Sequence, residues 1–273
     1  MSSEKILVFD TTLRDGELMA GVCFDKRKKL EIAQLLERMG VDIIEIGYPS
    51  RFSKDFAELV TISQQLEEAK ICALAGAKET EVLQAVESIK NAKKGRIHLY
   101  ANVNLSDRLR QEQTLETIKS SINLTRNYCQ DIEWTAFDAT RSSFDFLCQG
   151  IETAIASGAT TINIADSLGV ATPDTFSQLI YNIRDRVPHC DRCIISVHCH
   201  DDLGFAVENS LAAVDAGARQ IECAVNGLGA RKGNADLAGI VKGIQERDRL
   251  HSNINPNLLE TASQLVKQLI PNP

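Results

Sequence analysis

The fold is decided by a short pattern that first occurs at residues 40–46, which read Gly-Val-Asp-Ile-Ile-Glu-Ile. The pattern returns at residues 158–164 as Gly-Ala-Thr-Thr-Ile-Asn-Ile and at residues 217–223 as Gly-Ala-Arg-Gln-Ile-Glu-Cys. In each copy the glycine can end a helix in the left-handed conformation, and an apolar strand begins within a few residues. The pattern therefore predicts helix-to-strand units that recur along the chain.

Eight strand-like runs alternate with longer amphipathic segments along the whole chain. Most runs are nearly continuous in apolar residues, as expected of parallel strands covered on both faces. The predicted strands are residues 5–10, 41–47, 70–75, 95–103, 132–138, 160–165, 194–200 and 220–225. The predicted helices are residues 26–39, 54–68, 79–92, 114–129, 144–157, 173–186, 203–216 and 235–245, and one more follows at 257–270.

The fold class predicted from these units is α/β, a (β/α)8 TIM barrel. Eight strand–helix units in 273 residues fit a barrel better than a doubly wound sheet, which usually has fewer strands. No glycine-rich phosphate-binding fingerprint follows the first strand, so a dinucleotide-binding fold is the weaker alternative. We therefore expect residues 1–273 to form a single TIM-barrel catalytic domain, with the helix at 257–270 as an addition to the eight units.

The composition excludes several classes of partner. The net charge is −7 with 25% charged residues and no basic stripe, which argues against nucleic acid. Because there is no long apolar segment and no signal-peptide cleavage pattern, we expect a cytoplasmic protein that does not bind a membrane. The eight cysteines are scattered and are expected to be reduced. Cys190 and Cys193 have the spacing of a redox or zinc pair, but no second pair follows them.

Polar residues follow most of the predicted strands, where barrel enzymes carry their chemistry. His198 and His200 are two residues apart, so a strand would project both imidazoles to the same face. With the carboxylates of Asp201 and Asp202 directly behind them, they predict a divalent-metal site completed by Asp and Asn oxygens. The alternative interpretation is a pair of hydrogen-bonded core histidines.

A second group of charged residues lies at the end of the first strand. Asp15 could ligate the metal and Arg14 could polarise a substrate carbonyl or hold a carboxylate; the alternative is a surface salt bridge in a turn. Glu45 lies between two isoleucines, so it should point into the barrel, with Arg14 or the metal site as its partner. The glycine-rich segment 227–234 could place Asn234 as a ligand, although an ordinary turn explains it equally well.

Together these motifs resemble one family of barrel metallo-enzymes, which includes isopropylmalate synthase, homocitrate synthase and, more distantly, hydroxymethylglutaryl-CoA lyase. The resemblance runs from residue 9 to residue 241. It rests on Asp-Thr-Thr-Leu-Arg-Asp-Gly-Glu at 10–17, on Asp-Ala-Thr-Arg-Ser at 138–142 and on His-Cys-His-Asp-Asp-Leu-Gly at 198–204. The order of these motifs along the chain is that of the family.

The resemblance implies a metal site and a reaction. The metal positions would be Asp15, His198, His200 and Asn234. The cofactor would be a divalent metal, and these ligands would suit Mg, Mn, Zn or Co. Arg14 would polarise the oxo group of a small 2-oxo acid, and acetyl-CoA would be the second substrate of a Claisen-type condensation. The residues expected to contact substrate are Arg14, Glu17, Arg141 and Ser167. The residues expected to act in catalysis are Arg14, Glu45 and Asp202.

Three positions depart from the family pattern. Leu18 replaces a glutamine that would contact the oxo acid, Phe137 replaces a glutamate after the fifth strand, and Ala230 replaces a glutamate after the eighth. These changes predict a less polar substrate pocket. The synthases also carry a C-terminal subdomain that contributes groups for acetyl-CoA enolisation. We therefore expect either a homo-oligomer or a separate chain to complete the site, and the chain alone to be a slow condensing enzyme.

Three functions fit this pattern. The first is a synthase with an altered choice of 2-oxo acid. The second is a metal-dependent aldolase or lyase, which cleaves a carbon–carbon bond of a 2-oxo or hydroxy acid through the same metal enolate chemistry. The third is a catalytically degenerate barrel that acts as a binding or regulatory subunit. The carboxylates that remain as candidate bases are Glu17, Glu45 and Asp202.

Overall fold

Eight parallel strands close into a barrel in the computed structural model, which describes residues 3–270. The strands, labelled β1 to β8, are Leu7–Asp10, Ile43–Gly47, Lys70–Ala75, Gly95–Asn102, Ile132–Phe137, Thr161–Asp166, Ile194–Cys199 and Gln220–Cys223. Each strand pairs with the next along the chain, and β1 pairs with β8 to close the barrel. The predicted (β/α)8 TIM barrel is confirmed.

Helices cover the outside of the barrel, one after each strand. The helices, labelled α1 to α9, are Lys26–Met39, Ser53–Ser63, Glu79–Ile89, Arg108–Arg126, Phe144–Ser157, Pro173–Arg186, Ala206–Asp215, Leu237–Gln245 and Leu259–Leu269. The additional helix that was expected at 257–270 is α9, which packs against α1. In the part of the chain that the structure describes, no helix is long and apolar enough to cross a membrane.

The glycines of the repeated pattern end helices, as their sequence context predicts. Gly40 and Gly158 have φ values of 92° and 103°, in the left-handed region, and their N–H groups bond the last carbonyls of α1 and α5. Ile44 and Ile162, in the strands that follow, are fully buried. The turn from helix to strand therefore delivers an apolar side chain directly into the core.

One helix begins earlier than its sequence predicts. α4 begins at Arg108 and not at residue 114, because the Asp107 carboxylate accepts a hydrogen bond from the Arg110 N–H and caps the helix. Leu109 is exposed, so the apolar spacing that marks the rest of the helix is absent from this end. The cap, and not the amphipathic pattern, sets this boundary.

The segment predicted as the first strand, residues 5–10, is divided into two pieces. Glu4–Lys5 pairs in parallel with Leu250–His251 outside the barrel, and the Ile6 N–H donates to the His251 carbonyl at 2.8 Å. Only Leu7–Asp10 enters the barrel. The two-stranded pair ties the start of the barrel to the segment between α8 and α9.

One end of the barrel interior is filled by a charged network. The buried guanidinium of Arg96 donates to Asp131, Glu133 and Gln220, at 2.7 Å in each case. Glu133 also accepts a hydrogen bond from the Gln220 amide at 2.8 Å. These residues lie at or near the amino ends of β4, β5 and β8. The network therefore fills the end of the barrel opposite the loops that could carry chemistry.

Asp10, the last residue of β1, is fully buried, and burial raises the pKa of its carboxyl from 3.8 to about 7. At pH values between these two pKa values, folding takes up a proton at Asp10. The stability that Asp10 contributes therefore falls as the pH rises through this range. Asp10→Asn keeps an acceptor for the Thr12 N–H and cannot ionise. We expect this variant to gain stability over the wild type by about 1.4 kcal/mol per pH unit from about pH 5 to pH 7.

Denaturant unfolding of the two proteins at three pH values across this window measures the difference. A difference in the free energy of unfolding that does not change with pH would contradict the prediction.

Candidate active site

Three potential metal ligands meet at the carboxyl ends of β1 and β7. Asp15, His198 and His200 are buried, and each offers a ligand atom within 4.8 Å of those of the other two. His198 lies in β7, which ends one residue earlier than predicted, and His200 directly follows its last residue. The ring centroids of the two histidines are 4.9 Å apart. Both imidazoles therefore project toward Asp15.

The Nδ1 atom of each histidine faces an acceptor of the protein. His200 Nδ1 lies 3.1 Å from the carbonyl oxygen of Gly233, which can only accept, so the ring carries its proton there and keeps the Nε2 lone pair free. His198 Nδ1 lies 2.6 Å from Glu222 Oε2. Burial raises the pKa of Glu222 well above its usual range. A cation held by His198 would favour the ionised carboxylate, which imposes the same tautomer on His198.

Asn234 adds a fourth donor to this group. Its Nδ2 donates to Asp15 Oδ2 at 2.6 Å and to the Leu228 carbonyl at 2.8 Å. Among residues 3–270, no group bonds its buried Oδ1. A buried amide oxygen without a partner is costly, and a cation beside Asp15 would satisfy it. The residues present therefore fit a divalent metal with two nitrogen and two oxygen ligands.

The protonation states of the three titratable residues also suit a metal. Burial lowers the pKa of His198, and burial together with the charge of His198 lowers the pKa of His200 to about 4. Both rings are therefore neutral at pH 7. Burial alone would raise the pKa of Asp15, but Arg14 and the two histidines outweigh it and hold that pKa below its usual value. One carboxylate and two neutral imidazoles are the forms that bind metals.

Gly229 lies against the two residues that offer oxygen ligands. A Cβ at this position would lie 2.3 Å from Asn234 Nδ2 and 2.9 Å from Asp15 Oδ2, so neither side chain could keep its place. We expect Gly229→Ala to weaken Co²⁺ binding by about 10- to 100-fold, the range for lost support of metal ligands. Calorimetric titration measures the affinity. Gly239→Ala in α8 is the control, because a Cβ there first meets Val207, at 3.1 Å. Equal affinities in the two variants would refute the prediction.

Arg14 is held between a potential metal ligand and a buried carboxylate. Its Nη1 donates to Asp15 Oδ1 at 2.8 Å, and its Nε donates to Glu45 Oε2 at 2.6 Å. Glu45 also accepts from Thr11 Oγ1 at 2.8 Å, and His98 Nδ1 lies 2.9 Å from its other oxygen. Burial would raise the pKa of Glu45, but Arg14 and His98 lower it to about 2. Glu45 is thus an ionised anchor for Arg14, and its expected part in catalysis stays a prediction.

Glu17 and Arg141, which were expected to contact substrate, are both paired with other charged residues. One carboxylate oxygen of Glu17 lies 2.6 Å from Lys29 Nζ, and the other lies 2.9 Å from Lys54 Nζ. Arg141 donates from Nε and Nη2 to the two oxygens of Asp138, at 2.8 and 2.6 Å. These contacts fix the loops after β1 and β5. Direct contact of either residue with a substrate stays a prediction.

Ser167 and Asp202 lie in the loops after β6 and β7. The buried Ser167 Oγ accepts the N–H of Asp138 at 2.8 Å. The two oxygens of Asp202 accept hydrogen bonds from Arg231, at 2.9 and 2.8 Å. The carboxylate that was expected to act in catalysis is therefore neutralised by a cation, and its catalytic role stays a prediction.

Two of the residues that depart from the family pattern are partly exposed. Leu18 and Phe137 are 46% and 43% exposed. The Phe137 ring lies 6.5 Å from that of Tyr100, which in turn meets Tyr48 edge-on at 6.3 Å, centroid to centroid. The two tyrosines line a cavity of about 850 Å³ beside the ends of β2 to β4. Phe137 thus adds a third aromatic ring to this cluster, at the position where the family pattern has a glutamate.

A second group of potential ligands lies deeper in the barrel. Glu45, Cys72 and His98 also have ligand atoms within 4.8 Å of one another. The oxygens of Glu45 already accept the bonds described above, and the second ring nitrogen of His98 lies 2.5 Å from Thr135 Oγ1. Burial raises the pKa of the Cys72 thiol well above its usual value. This group therefore supports Arg14 and offers no free donor set to a metal.

Three residues around the site were not predicted from the sequence: Glu222, His98 and Arg231. A signal existed for Glu222, since it is a lone carboxylate inside an apolar strand, as Glu45 is. Its partner could not be identified, because the contact with His198 joins β8 to β7. The contacts of Arg231 also depend on how three loops meet in space.

The chain is similar in sequence and in fold to known proteins. The family model described as HMGL-like matches residues 5–266. The 2-isopropylmalate synthases of Nitrobacter hamburgensis and Serratia proteamaculans are 43% and 42% identical, over 96% and 98% of this chain and 52% of each synthase. The chain thus spans about half the length of these relatives. The HMG-CoA lyase of Bacillus subtilis shares the fold, with a TM-score of 0.84 at 17% identity over 100% of this chain and 96% of the lyase.

Proposed function

The chain belongs to the HMGL-like family, and from that premise we propose that it is the catalytic barrel of a metal-dependent acyltransferase of the 2-isopropylmalate synthase type. The reaction would be a Claisen-type condensation of acetyl-CoA with a small 2-oxo acid. The proposal is supported most by the convergence of Asp15, His198 and His200, whose ligand atoms lie within 4.8 Å of one another and beside Asn234. The names of the similar synthases support the reaction class.

The metal would be held by the four donors at the ends of β1, β7 and β8. They are Asp15, His198, His200 and Asn234. When bound, a divalent cation supplies a Lewis acid for the 2-oxo group. Mg, Mn, Zn and Co remain the candidates, because two imidazoles with two oxygen ligands suit each of them.

Arg14 would bind the oxo oxygen of the substrate. Its Nε and Nη1 are used by Glu45 and Asp15. Its Nη2 donates no hydrogen bond to any of residues 3–270, so it is available to a substrate. Negative charge develops on the oxo oxygen as the new carbon–carbon bond forms, and a fixed cation beside that oxygen stabilises it.

The base that deprotonates acetyl-CoA would come from outside this copy of the barrel. The three carboxylates left as candidate bases, Glu17, Glu45 and Asp202, are each paired with a lysine or an arginine. A carboxylate held by a cation is not free to reach the methyl group of a thioester. We therefore propose that the base comes from outside this copy of the barrel, either from a neighbouring copy or from additional polypeptide.

Thiol release from acetyl-CoA tests the proposal across a panel of 2-oxo acids, with and without metal. Calorimetry of the same oxo acids measures binding alone. We expect oxo-acid binding that requires metal, and metal-dependent thiol release by the isolated chain slower than about 1 per second, the lower end of ordinary turnover.

The other outcomes separate the alternatives. Failure to bind any 2-oxo acid in the presence of metal would overturn the proposal and favour a binding or regulatory barrel. Cleavage of a hydroxy acid without thiol release would instead identify an aldolase or lyase.

A further inference from the structure

Arg231 links three loops at the mouth of the barrel. It lies between β8 and α8, and its Nε and Nη2 donate to the two oxygens of Asp202, in the loop after β7. Its Nη2 also donates to the carbonyl oxygen of Ser167, after β6, at 2.7 Å. One planar guanidinium therefore spans acceptors on two neighbouring loops, which fixes the loop that carries it.

The loop that carries Arg231 has a strained backbone. The φ values of Asn226, Gly227, Arg231 and Gly233 are 57°, 63°, 57° and 103°. A left-handed conformation costs little at glycine, but at an arginine it must be offset by surrounding contacts. The bonds of the Arg231 guanidinium to Asp202 and to the Ser167 carbonyl supply such contacts.

The same loop positions two of the potential metal ligands. The Gly233 carbonyl accepts the Asp201 N–H at 2.9 Å and lies 3.1 Å from His200 Nδ1. A Cβ on Gly233 would lie 2.1 Å from the Gly227 carbonyl oxygen, so the loop tolerates no side chain there. The backbone of the next residue, Asn234, pairs with that of His200 in an isolated antiparallel β-bridge. The conformation of this loop therefore sets the orientation of His200 and the place of Asn234.

We propose that Arg231 is a positioning residue for the metal site: its bonds to Asp202 and to the Ser167 carbonyl hold the loop in the conformation that places Asn234 beside Asp15. The ligand is a divalent cation, and in that respect the inference rests on the proposed function. Asp202 then acts as the anchor of Arg231. A lysine ammonium lacks the planar fork that bonds both oxygens of a carboxylate and a third acceptor at once, so it cannot substitute.

Hydrogen–deuterium exchange of the metal-free chain tests the positioning role without any ligand. We expect Arg231→Ala and Asp202→Asn each to raise the exchange of the backbone amides in residues 226–236 by about tenfold or more, the equilibrium effect of losing a charge-assisted hydrogen bond. Arg231→Lys should restore little of the protection. The matched control is Lys232→Ala, which also removes one exposed positive charge. In the described structure Lys232 makes no side-chain hydrogen bond or ion pair, so this control should leave exchange unchanged.

Titration with Co²⁺, followed by calorimetry and by its visible absorption, is the second measurement. We expect Arg231→Ala to weaken Co²⁺ binding by about 10- to 100-fold and Lys232→Ala to leave it near the wild-type value. The double variant Arg231→Ala/Asp202→Asn should bind Co²⁺ with the same affinity as whichever single variant binds it less tightly, because both changes remove the same contact.

Wild-type exchange and wild-type Co²⁺ affinity in both Arg231→Ala and Asp202→Asn would overturn the inference. If Arg231→Ala raises the exchange of residues 226–236 while the wild type binds no Co²⁺, the proposed function fails and the role of Arg231 in holding the loop stands.

Discussion

His200→Ala should abolish metal binding and leave the barrel folded. The imidazole is one of two nitrogen donors that face Asp15, and methyl cannot replace it. We expect Co²⁺ affinity to fall by more than about 100-fold, beyond the range for losing a residue that only supports a ligand. Calorimetry and the visible absorption of bound Co²⁺ measure the loss.

The barrel should survive this change because the loop after β8 keeps its backbone bond from Asp201 to Gly233. Far-UV circular dichroism should match that of the wild type. His251→Ala is the matched control. His251 is exposed and lies outside the barrel, in the two-stranded pair, where its partner is Lys5. If His200→Ala bound Co²⁺ as the control does, the metal site would have to be sought elsewhere.

Arg14→Lys should reduce thiol release by about 10²- to 10³-fold, the usual effect of removing one donor that stabilises a developing oxyanion. The guanidinium bonds Glu45 and Asp15 through two nitrogens and keeps a third for substrate. An ammonium cannot hold this planar arrangement. The turnover rate at saturating oxo acid measures the effect, and the Michaelis constant for acetyl-CoA should stay near its wild-type value.

A second pair of variants separates chemistry from folding. Arg14→Ala leaves the fully buried Glu45 ionised without its cation, which should destabilise the fold by about 3–5 kcal/mol. Adding Glu45→Gln removes that charge, so the double variant should regain stability without regaining activity. Wild-type turnover in Arg14→Lys, or in the double variant, would show that Arg14 has no part in the reaction.

The barrel was predictable from the sequence because its elements are marked locally. β3 was predicted at residues 70–75 and is Lys70–Ala75, since the apolar run that follows Lys70 ends at Gly76. α5 was predicted at residues 144–157 and is Phe144–Ser157, because Gly158 ends it. The start of α4 depends on a side-chain cap, and the division of residues 5–10 depends on pairing with residues 250–251. Neither contact leaves a periodic signal in the sequence.

The candidate site was predictable only in part, for a related reason. His198 and His200 are marked by their spacing on a strand, and Asp15 by its place after one. The environment of each side chain is a matter of tertiary contact: Glu222 reaches His198 from the neighbouring strand, and Asp202 is neutralised by an arginine from another loop. Charge and protonation at the site could therefore not be inferred from the order of residues.

The closure of the barrel between β1 and β8 has a consequence for synthesis on the ribosome. Leu7–Asp10 pairs with Gln220–Cys223, so the first strand completes its hydrogen bonding only after roughly 200 further residues have been translated. Until then β1 presents an unpaired edge, and such edges invite association with other chains. Slow translation would lengthen that exposure. A chaperone that covers β1 should therefore raise the yield of native barrel most when elongation is slowest.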